Sequence, residues 1–235
     1  MYEAHFGFHQ PPFALTPDTR FFFPRASHQD ALNTLLVTLR AGEGFLKVTG
    51  EVGLGKTQLC RQLLNALGPG FVTAYIPNPA LSPAALLRTV AEELGCQHGG
   101  DFGSEHLMKL ISQQLLANAG RGLRTVLVVD EAQALSDETL EAIRLLTNLE
   151  TETYKLLQVV LFGQPELDAR LAGKSLRQLR QRISFSHRLQ PLGDGDFRAY
   201  VRHRLEVAGA RDPTLFTDAA LRIEDVKDDQ RRWWN

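Results

Sequence analysis

Gly50-Glu51-Val52-Gly53-Leu54-Gly55-Lys56-Thr57 fits the pattern G-x-x-x-x-G-K-[ST], a loop that binds phosphate groups. Its flanks supply the context that the pattern needs. The apolar run Phe45-Leu46-Lys47-Val48-Thr49 predicts a strand leading in, and Leu59, Leu63, Leu64 and Leu67 predict a helix leading out. A loop that wraps a polyphosphate must turn its backbone N–H groups inward, and Gly50, Gly53 and Gly55 permit the angles and the close approach. The helix beginning near Lys56 adds unpaired N-terminal amides and the positive end of its dipole. In this arrangement Lys56 reaches the β- and γ-phosphates and the Thr57 hydroxyl ligates magnesium. The plain alternative is a glycine-rich turn with an exposed lysine, and the strand-loop-helix context weighs against it. The expected nucleotide-binding residues are therefore Gly50, Glu51, Val52, Gly53, Leu54, Gly55, Lys56, Thr57 and, in the first helical turn, Gln58.

A chain of 235 residues accommodates one α/β domain with a sizeable core and a small appendage. Its net charge of −1 argues against a protein that binds polyanions over its whole surface, although a local basic face fits within that total. Cys60 and Cys96 have no paired spacing that suggests zinc and are too few for a disulfide scaffold, so both are read as reduced. The start Met1-Tyr2-Glu3-Ala4-His5-Phe6 lacks a basic, then apolar, leader pattern, and no stretch approaches the ~18 apolar residues of a membrane span. The expectation is a cytoplasmic protein, or one peripheral to a membrane.

Residues 6–23 are dense in phenylalanine and proline. Pro11-Pro12-Phe13 and Thr16-Pro17-Asp18 mark turns, and the aromatics are expected to plug a core edge, with packing against a nucleotide base as the other option. A helical pattern runs from Ser27 through Leu32, Leu35, Leu36 and Leu39 to a stop at Gly42. Beyond the phosphate loop, Phe71 to Ile76 reads as a second strand. Ser82-Pro83 reads as an N-cap with a first-turn proline, opening a helix that ends at Gly95. Gln97 to Gly103 reads as a loop and Ser104 as the cap of the next helix. Strand and helix alternate, as a parallel sheet requires.

Thr125-Val126-Leu127-Val128-Val129 is a continuous apolar strand that ends in Asp130 and Glu131, an arrangement that resembles a Walker B motif. There Asp130 would hold magnesium through its water shell, and Glu131 would orient or activate the attacking water. Taken alone, an Asp-Glu pair after a strand is equally a helix-capping turn; beside a phosphate loop the catalytic reading is favoured, because phosphoryl transfer needs both parts. Ser136 opens a further helix, and Leu156 to Gly163 forms another buried strand. Gln164, at the end of that strand, is placed to contact the γ-phosphate or its water, since ligands in open α/β sheets bind beyond the strands' carboxyl ends.

Between Arg170 and Arg211 ten basic residues stand against three acids. Three readings are open: a nucleic-acid surface, one or two arginines acting in trans on a neighbouring subunit's nucleotide, and a set of solvated helix faces for most of them. Ile183, Phe185, His187 and Leu189 alternate as a fifth strand. Phe197, Tyr200, Val201 and Leu205 then form a helical stripe up to Gly209.

His5-Phe6-Gly7-Phe8 with Pro12-Phe13 and Thr16-Pro17, then Gly44-Phe45, the phosphate loop, Val128-Val129-Asp130-Glu131-Ala132-Gln133 and Phe162-Gly163-Gln164-Pro165-Glu166-Leu167 together resemble the AAA+ ATPases of the ExeA-type secretion and MshM-type MSHA pilus biogenesis family. The resemblance runs from residue 1 to about residue 221. It implies a five-stranded parallel sheet with helices on both faces, over residues 1–192, followed by a partial, truncated helical lid over 193–221. It implies ATP and Mg2+ as ligands, with Lys56 and Thr57 on nucleotide and metal, Asp130 and Glu131 as Walker B, and Gln164 at the sensor-1 position. Arg182, and after it Arg180, would be the arginine finger. It further implies a homo-oligomer, such as a hexameric ring, working at the inner membrane with components of a type IV pilus or type II secretion machine. The stretch Arg222 to Asn235 departs from the family's pattern and reads as an atypical tail without the second sensor arginine. Two rival readings stand beside this one: a DNA-binding ATP switch of the transposition-targeting type, and a nonhydrolysing ATP-binding scaffold.

Overall fold

The apolar runs on either side of the phosphate loop become neighbouring strands. The computed structural model describes residues 2–14, 19–21, 23, 26–96, 103–150, 155–191, 194–212, 214–217 and 220–221. The turn expected at Thr16-Pro17, most of the loop from Gln97, the lid start at Gly193 and the tail from Arg222 lie outside these residues. In chain order the elements are α1 (Tyr2–Phe6), a 3-10 turn (Thr19–Phe21), α2 (Ala26–Ala41), β1 (Phe45–Thr49), α3 (Lys56–Ala66), β2 (Phe71–Ile76), α4 (Pro83–Glu93) and α5 (Ser104–Gly120). There follow β3 (Arg124–Val129), a 3-10 turn (Ala132–Ala134), α6 (Asp137–Leu146), β4 (Leu157–Gly163), α7 (Pro165–Leu171), α8 (Arg177–Arg182), β5 (Phe185–Arg188) and α9 (Asp194–Val207).

The chain divides into two compact units, Ser27–Gln190 and a second one made of Met1–Ala26 with Pro191–Asn235. In the larger unit the sheet order is β2-β3-β4-β1-β5, and every pairing is parallel. The five-stranded parallel sheet expected from the sequence is thus present. Side chains alternate across it. Val126 and Val128 of β3, Val160 and Phe162 of β4, and Leu46 and Val48 of β1 enter one core with Leu35 and Leu39 of α2 and Leu59 and Leu63 of α3. Leu127, Val129, Val159 and Leu161 point the other way, to Leu86, Val90, Ile111, Leu115, Leu140 and Ile143 of α4, α5 and α6. Each such leucine contributes about 1.5–3 kcal/mol on burial. Helices on both faces therefore explain why β3 and β4 are apolar at consecutive positions.

The helix starts follow local chemistry. Ser82 Oγ accepts from Ala85 N at 3.3 Å with Pro83 in the first turn, and Ser136 Oγ accepts from Thr139 N at 3.2 Å. Ser104 is a correction: α5 begins at that residue, its N-cap is Gly103, and no side chain caps it. A serine one position inside a helix looks the same in sequence as one at its cap, because the choice depends on the backbone angles of the preceding residue.

The second unit buries part of the aromatic N-terminal segment in a core of its own. Met1–Ala26 groups with Pro191–Asn235, the stretch that holds α9. Phe8 and Phe21 share a core with Val201, Leu205 and Ala208. Within it Arg204 is 7% exposed, its guanidinium 4.4 Å from the Phe21 ring centre and 5.8 Å from those of Phe13 and Tyr200, with Nε donating to the Pro12 carbonyl. This residue does not belong to the solvated face expected for most of the basic stretch; its planar cation is stacked and buried. His9 N donates to Ala208 O at 2.7 Å. His9 also lies so close to Gly209 (φ 87°) that a side chain there would collide with its ring at 2.3 Å.

Candidate nucleotide site at the strand ends

The phosphate loop leaves β1 at Gly50, whose N–H donates to Gly163 O at the end of β4, 3.2 Å away. Gly53 and Gly55 take left-handed angles, φ 80° and 79°. Gly55 is the N-cap of α3 and provides no side-chain acceptor, which leaves the first amides of that helix for an incoming anion. Lys56 is only 5% exposed, and its ammonium donates to Gly50 O and Glu51 O, both at 2.9 Å. Burial lowers its pKa, and the nearby Glu131 and Asp130 oppose that shift. Thr57 and Gln58 are half-buried in the first turn of α3, whereas Glu51, Val52 and Gly53 are exposed at the tip of the loop.

Asp130 follows β3 directly and is 1% exposed. Burial raises its pKa, against the opposing effect of hydrogen bonds from Thr57 and from the Glu131 N–H, the latter at 2.9 Å. The loop's threonine and the strand's first carboxylate, far apart in the chain, are thus in contact. Glu131 adopts left-handed angles, φ 52° and ψ 38°, and is the one non-glycine with positive φ among the described residues. Such a conformation costs a non-glycine residue roughly 1–2 kcal/mol, so the surroundings must hold it. They do: Ala134 N donates to Glu131 O at 2.9 Å, and the Glu131 carboxylate accepts at Oε2 from the amides of Gln133 and Gln164, the latter at 3.3 Å.

Gln164 is the N-cap of α7, and its backbone N–H donates to Gln133 Oε1 at 3.0 Å. The structure therefore brings together Lys56, Thr57, Asp130, Glu131 and Gln164, all predicted from sequence, at the carboxyl ends of β1, β3 and β4. Four further residues support the site. Gln133 had a signal, its place two residues after Glu131 in the Asp-Glu-Ala-Gln run. His28 of α2, 3% exposed, donates from Nε2 to Leu54 O at 2.7 Å and so braces the loop from behind. Lys47 of β1 pairs with Asp168 of α7, whose other oxygen accepts from Thr49 Oγ1 at 2.8 Å. His28, Lys47 and Asp168 carry no local pattern, because their partners are remote in sequence.

The arginines separate by environment. Arg170 donates to Asp137 and to the carbonyls of Gln133 (3.0 Å) and Leu135 (2.6 Å), which ties α7 to the turn after β3. Arg182, at the end of α8, is half-buried and donates to Thr147 Oγ1 at 3.2 Å. Arg180 is exposed on the same helix.

A family profile described as an AAA domain matches residues 39–171, which include the phosphate loop, both carboxylates and Gln164. General secretion pathway protein A of Aeromonas hydrophila is 47% identical over 221 residues, 94% of this chain and 40% of that protein. The chain thus spans well under half the length of this relative. Among solved structures, Cdc6p from Pyrobaculum aerophilum superposes with a TM-score of 0.67 at 19% identity, over 88% of this chain and 57% of that one. The ORC2 protein of Aeropyrum pernix gives 0.62 at 17% identity, over 83% of this chain and 54% of that one. At these identities the two structures speak for the fold.

Proposed function

The chain belongs to the AAA domain family, and from that premise we propose that it is a magnesium-dependent ATPase that works as a homo-oligomer in the assembly of a secretion or pilus machine. One observation carries the reading. Lys56, Thr57, Asp130, Glu131 and Gln164 come from three strand ends and meet around the glycine-rich loop, with Thr57 beside Asp130 and Gln164 donating to Glu131.

In this reading the Lys56 ammonium exchanges the carbonyls of Gly50 and Glu51 for phosphate oxygens, whose negative charge offsets the hydration that its burial removes. The donors suit magnesium: a hydroxyl and a carboxylate, both hard oxygens. An ion of this kind is held by one or two side chains together with the nucleotide's phosphates. Thr57 and Asp130 would hold it. A magnesium ion held by them would supply positive charge to offset that of the transferring phosphate. Glu131 accepts the proton as the water oxygen bonds to the γ-phosphorus and the bond to the ADP oxygen breaks. Gln164 positions the water or the γ-phosphate.

Arg182 and Arg180 are the proposed fingers, one or both reaching a neighbouring subunit's nucleotide. Arg180 has the exposure that such a reach requires, while Arg182 must first release Thr147. The secretion role draws on General secretion pathway protein A, and a place in the cytoplasm at the inner membrane draws on the same likeness. No helix among the described residues is long and apolar enough to cross a membrane. The DNA-switch reading rested on the basic stretch, from which the buried Arg204 and the Asp137-paired Arg170 are withdrawn.

The experiment is ATP turnover by purified protein with and without magnesium. Lys56→Ala and Glu131→Gln should each abolish it, and turnover surviving in Lys56→Ala would sink the assignment. Mixing Arg182→Ala with Glu131→Gln subunits, and Arg180→Ala likewise, should restore part of the activity if the finger acts in trans. No restoration with either arginine counts against a shared site. Tight ATP binding without turnover in wild type would turn the reading to the scaffold.

A further inference from the structure

Gln133 lies in the turn after β3 and uses both ends of its side-chain amide. Its Nε2 donates to Glu131 Oε2, and its Oε1 accepts from the Gln164 backbone N–H at 3.0 Å. Gln164 returns a second contact, Nε2 to the same Glu131 oxygen at 3.3 Å. The three residues form a closed ring that spans the ends of β3 and β4. Packing is tight around it: a side chain at Gly163 would meet Gln133 Oε1 at 3.3 Å and Leu167 Cδ2 at 2.8 Å.

We propose that Gln133 is a positioning residue for ATP hydrolysis, fixing the Glu131 carboxylate and Gln164 in one frame so that water activation and γ-phosphate contact occur at a set separation. The inference rests on the ATPase reading above. The geometry gives it a direction. Both amides anchor Oε2, while Oε1 receives no hydrogen bond from the described residues and stays available to accept the water's proton. Anchoring one carboxylate oxygen is what a base needs when its own backbone sits in a left-handed conformation, where an untied side chain has no reason to hold one direction. The task requires glutamine in particular. Glutamate can still accept from Gln164 N–H but cannot donate to Glu131, and methionine, of similar length, does neither.

The test uses the full chain, comparing Gln133→Met and Gln133→Glu with wild type, Lys56→Ala and Glu131→Gln. In both Gln133 variants kcat for ATP should fall about 10- to 100-fold, with KM and the nucleotide Kd unchanged within about threefold. In the methionine variant the Gln164 amide, without its acceptor, should exchange with solvent about tenfold faster while amides in the middle of β1 keep their rates. In the glutamate variant Gln164 should stay protected. A methionine variant whose kcat lies within about twofold of wild type, or whose Gln164 exchange is unchanged, overturns the proposal. If wild type has no Lys56-dependent turnover, the ATPase reading fails by itself, and the Gln164 exchange rate alone then decides whether the bridge exists.

Discussion

Replacing Asp168 with asparagine tests how the sheet holds the helix that starts beside the site. Lys47 on β1 and Asp168 on α7 form an ion pair with side-chain exposures of 11% and 32%, and Thr49 Oγ1 donates to the second carboxylate oxygen at 2.8 Å. Removing one partner of a fully buried pair costs about 3–5 kcal/mol, because the remaining charge is left without compensation. Asp168 is a third exposed, so water shares in solvating the pair, and the expected cost of Asp168→Asn falls to about 2–3 kcal/mol. Lys47→Met should be milder, about 1 kcal/mol: it takes away the more buried charge, and the stranded Asp168 hydrates from its open side while keeping Thr49. The double variant should then cost about 1–2 kcal/mol less than the sum of the two. Urea unfolding of the four proteins at pH 7 measures all three quantities. If Lys47→Met costs as much as Asp168→Asn, or if the two effects add, the pair is not the brace described.

Three further outcomes follow from other contacts. Burial raises the Asp130 pKa, so the folded, ligand-free protein binds this proton more readily than the unfolded chain; its carboxylate is a penalty that grows as pH rises through the folded pKa and vanishes at low pH. Asp130→Asn should therefore raise the melting temperature without nucleotide at pH 8, and this gain should shrink as the pH is lowered towards about 4; a gain that grows instead would contradict the sign. Gly163→Ala should destabilise by about 1–3 kcal/mol in thermal melts, since its Cβ meets the buried Leu167 at 2.8 Å, and should depress turnover through Gln133. Arg204→Met removes the stacked guanidinium and strands the Pro12 carbonyl, so cleavage within residues 1–26 by a trace protease should accelerate about tenfold, with Arg204→Lys in between; equal rates would mean that the aromatic packing suffices.

Much of the site could be read before the fold because its residues announce themselves locally. The phosphate loop, the apolar β3 ending in Asp130 and Glu131, and Gln164 after β4 each sit at a change from apolar run to polar turn. The ends of parallel strands meet on one side of the sheet, so listing strand ends amounts to listing site residues. The caps at Ser82 and Ser136 were legible for the same reason, since serine, proline and acidic residues act over a single turn. Ser104 misled because a serine signals a helix start without saying which side of it the residue falls.

The order of apolar runs and the glycine-rich motif at Gly50–Thr57 by themselves pointed to the α/β class, the parallel sheet and a phosphate-binding loop, because these depend on contacts within a few residues and on the period of burial. Only the tertiary structure decided which polar groups serve them. Lys47 meets Asp168 across 121 positions, and Arg204 meets Pro12 across 192, distances over which no sequence period carries information. Gln133 needed the end of β4 beside it before its amide had a partner. A buried polar group must find its partner wherever the fold brings one, and that pairing exists only once the sheet has closed around it.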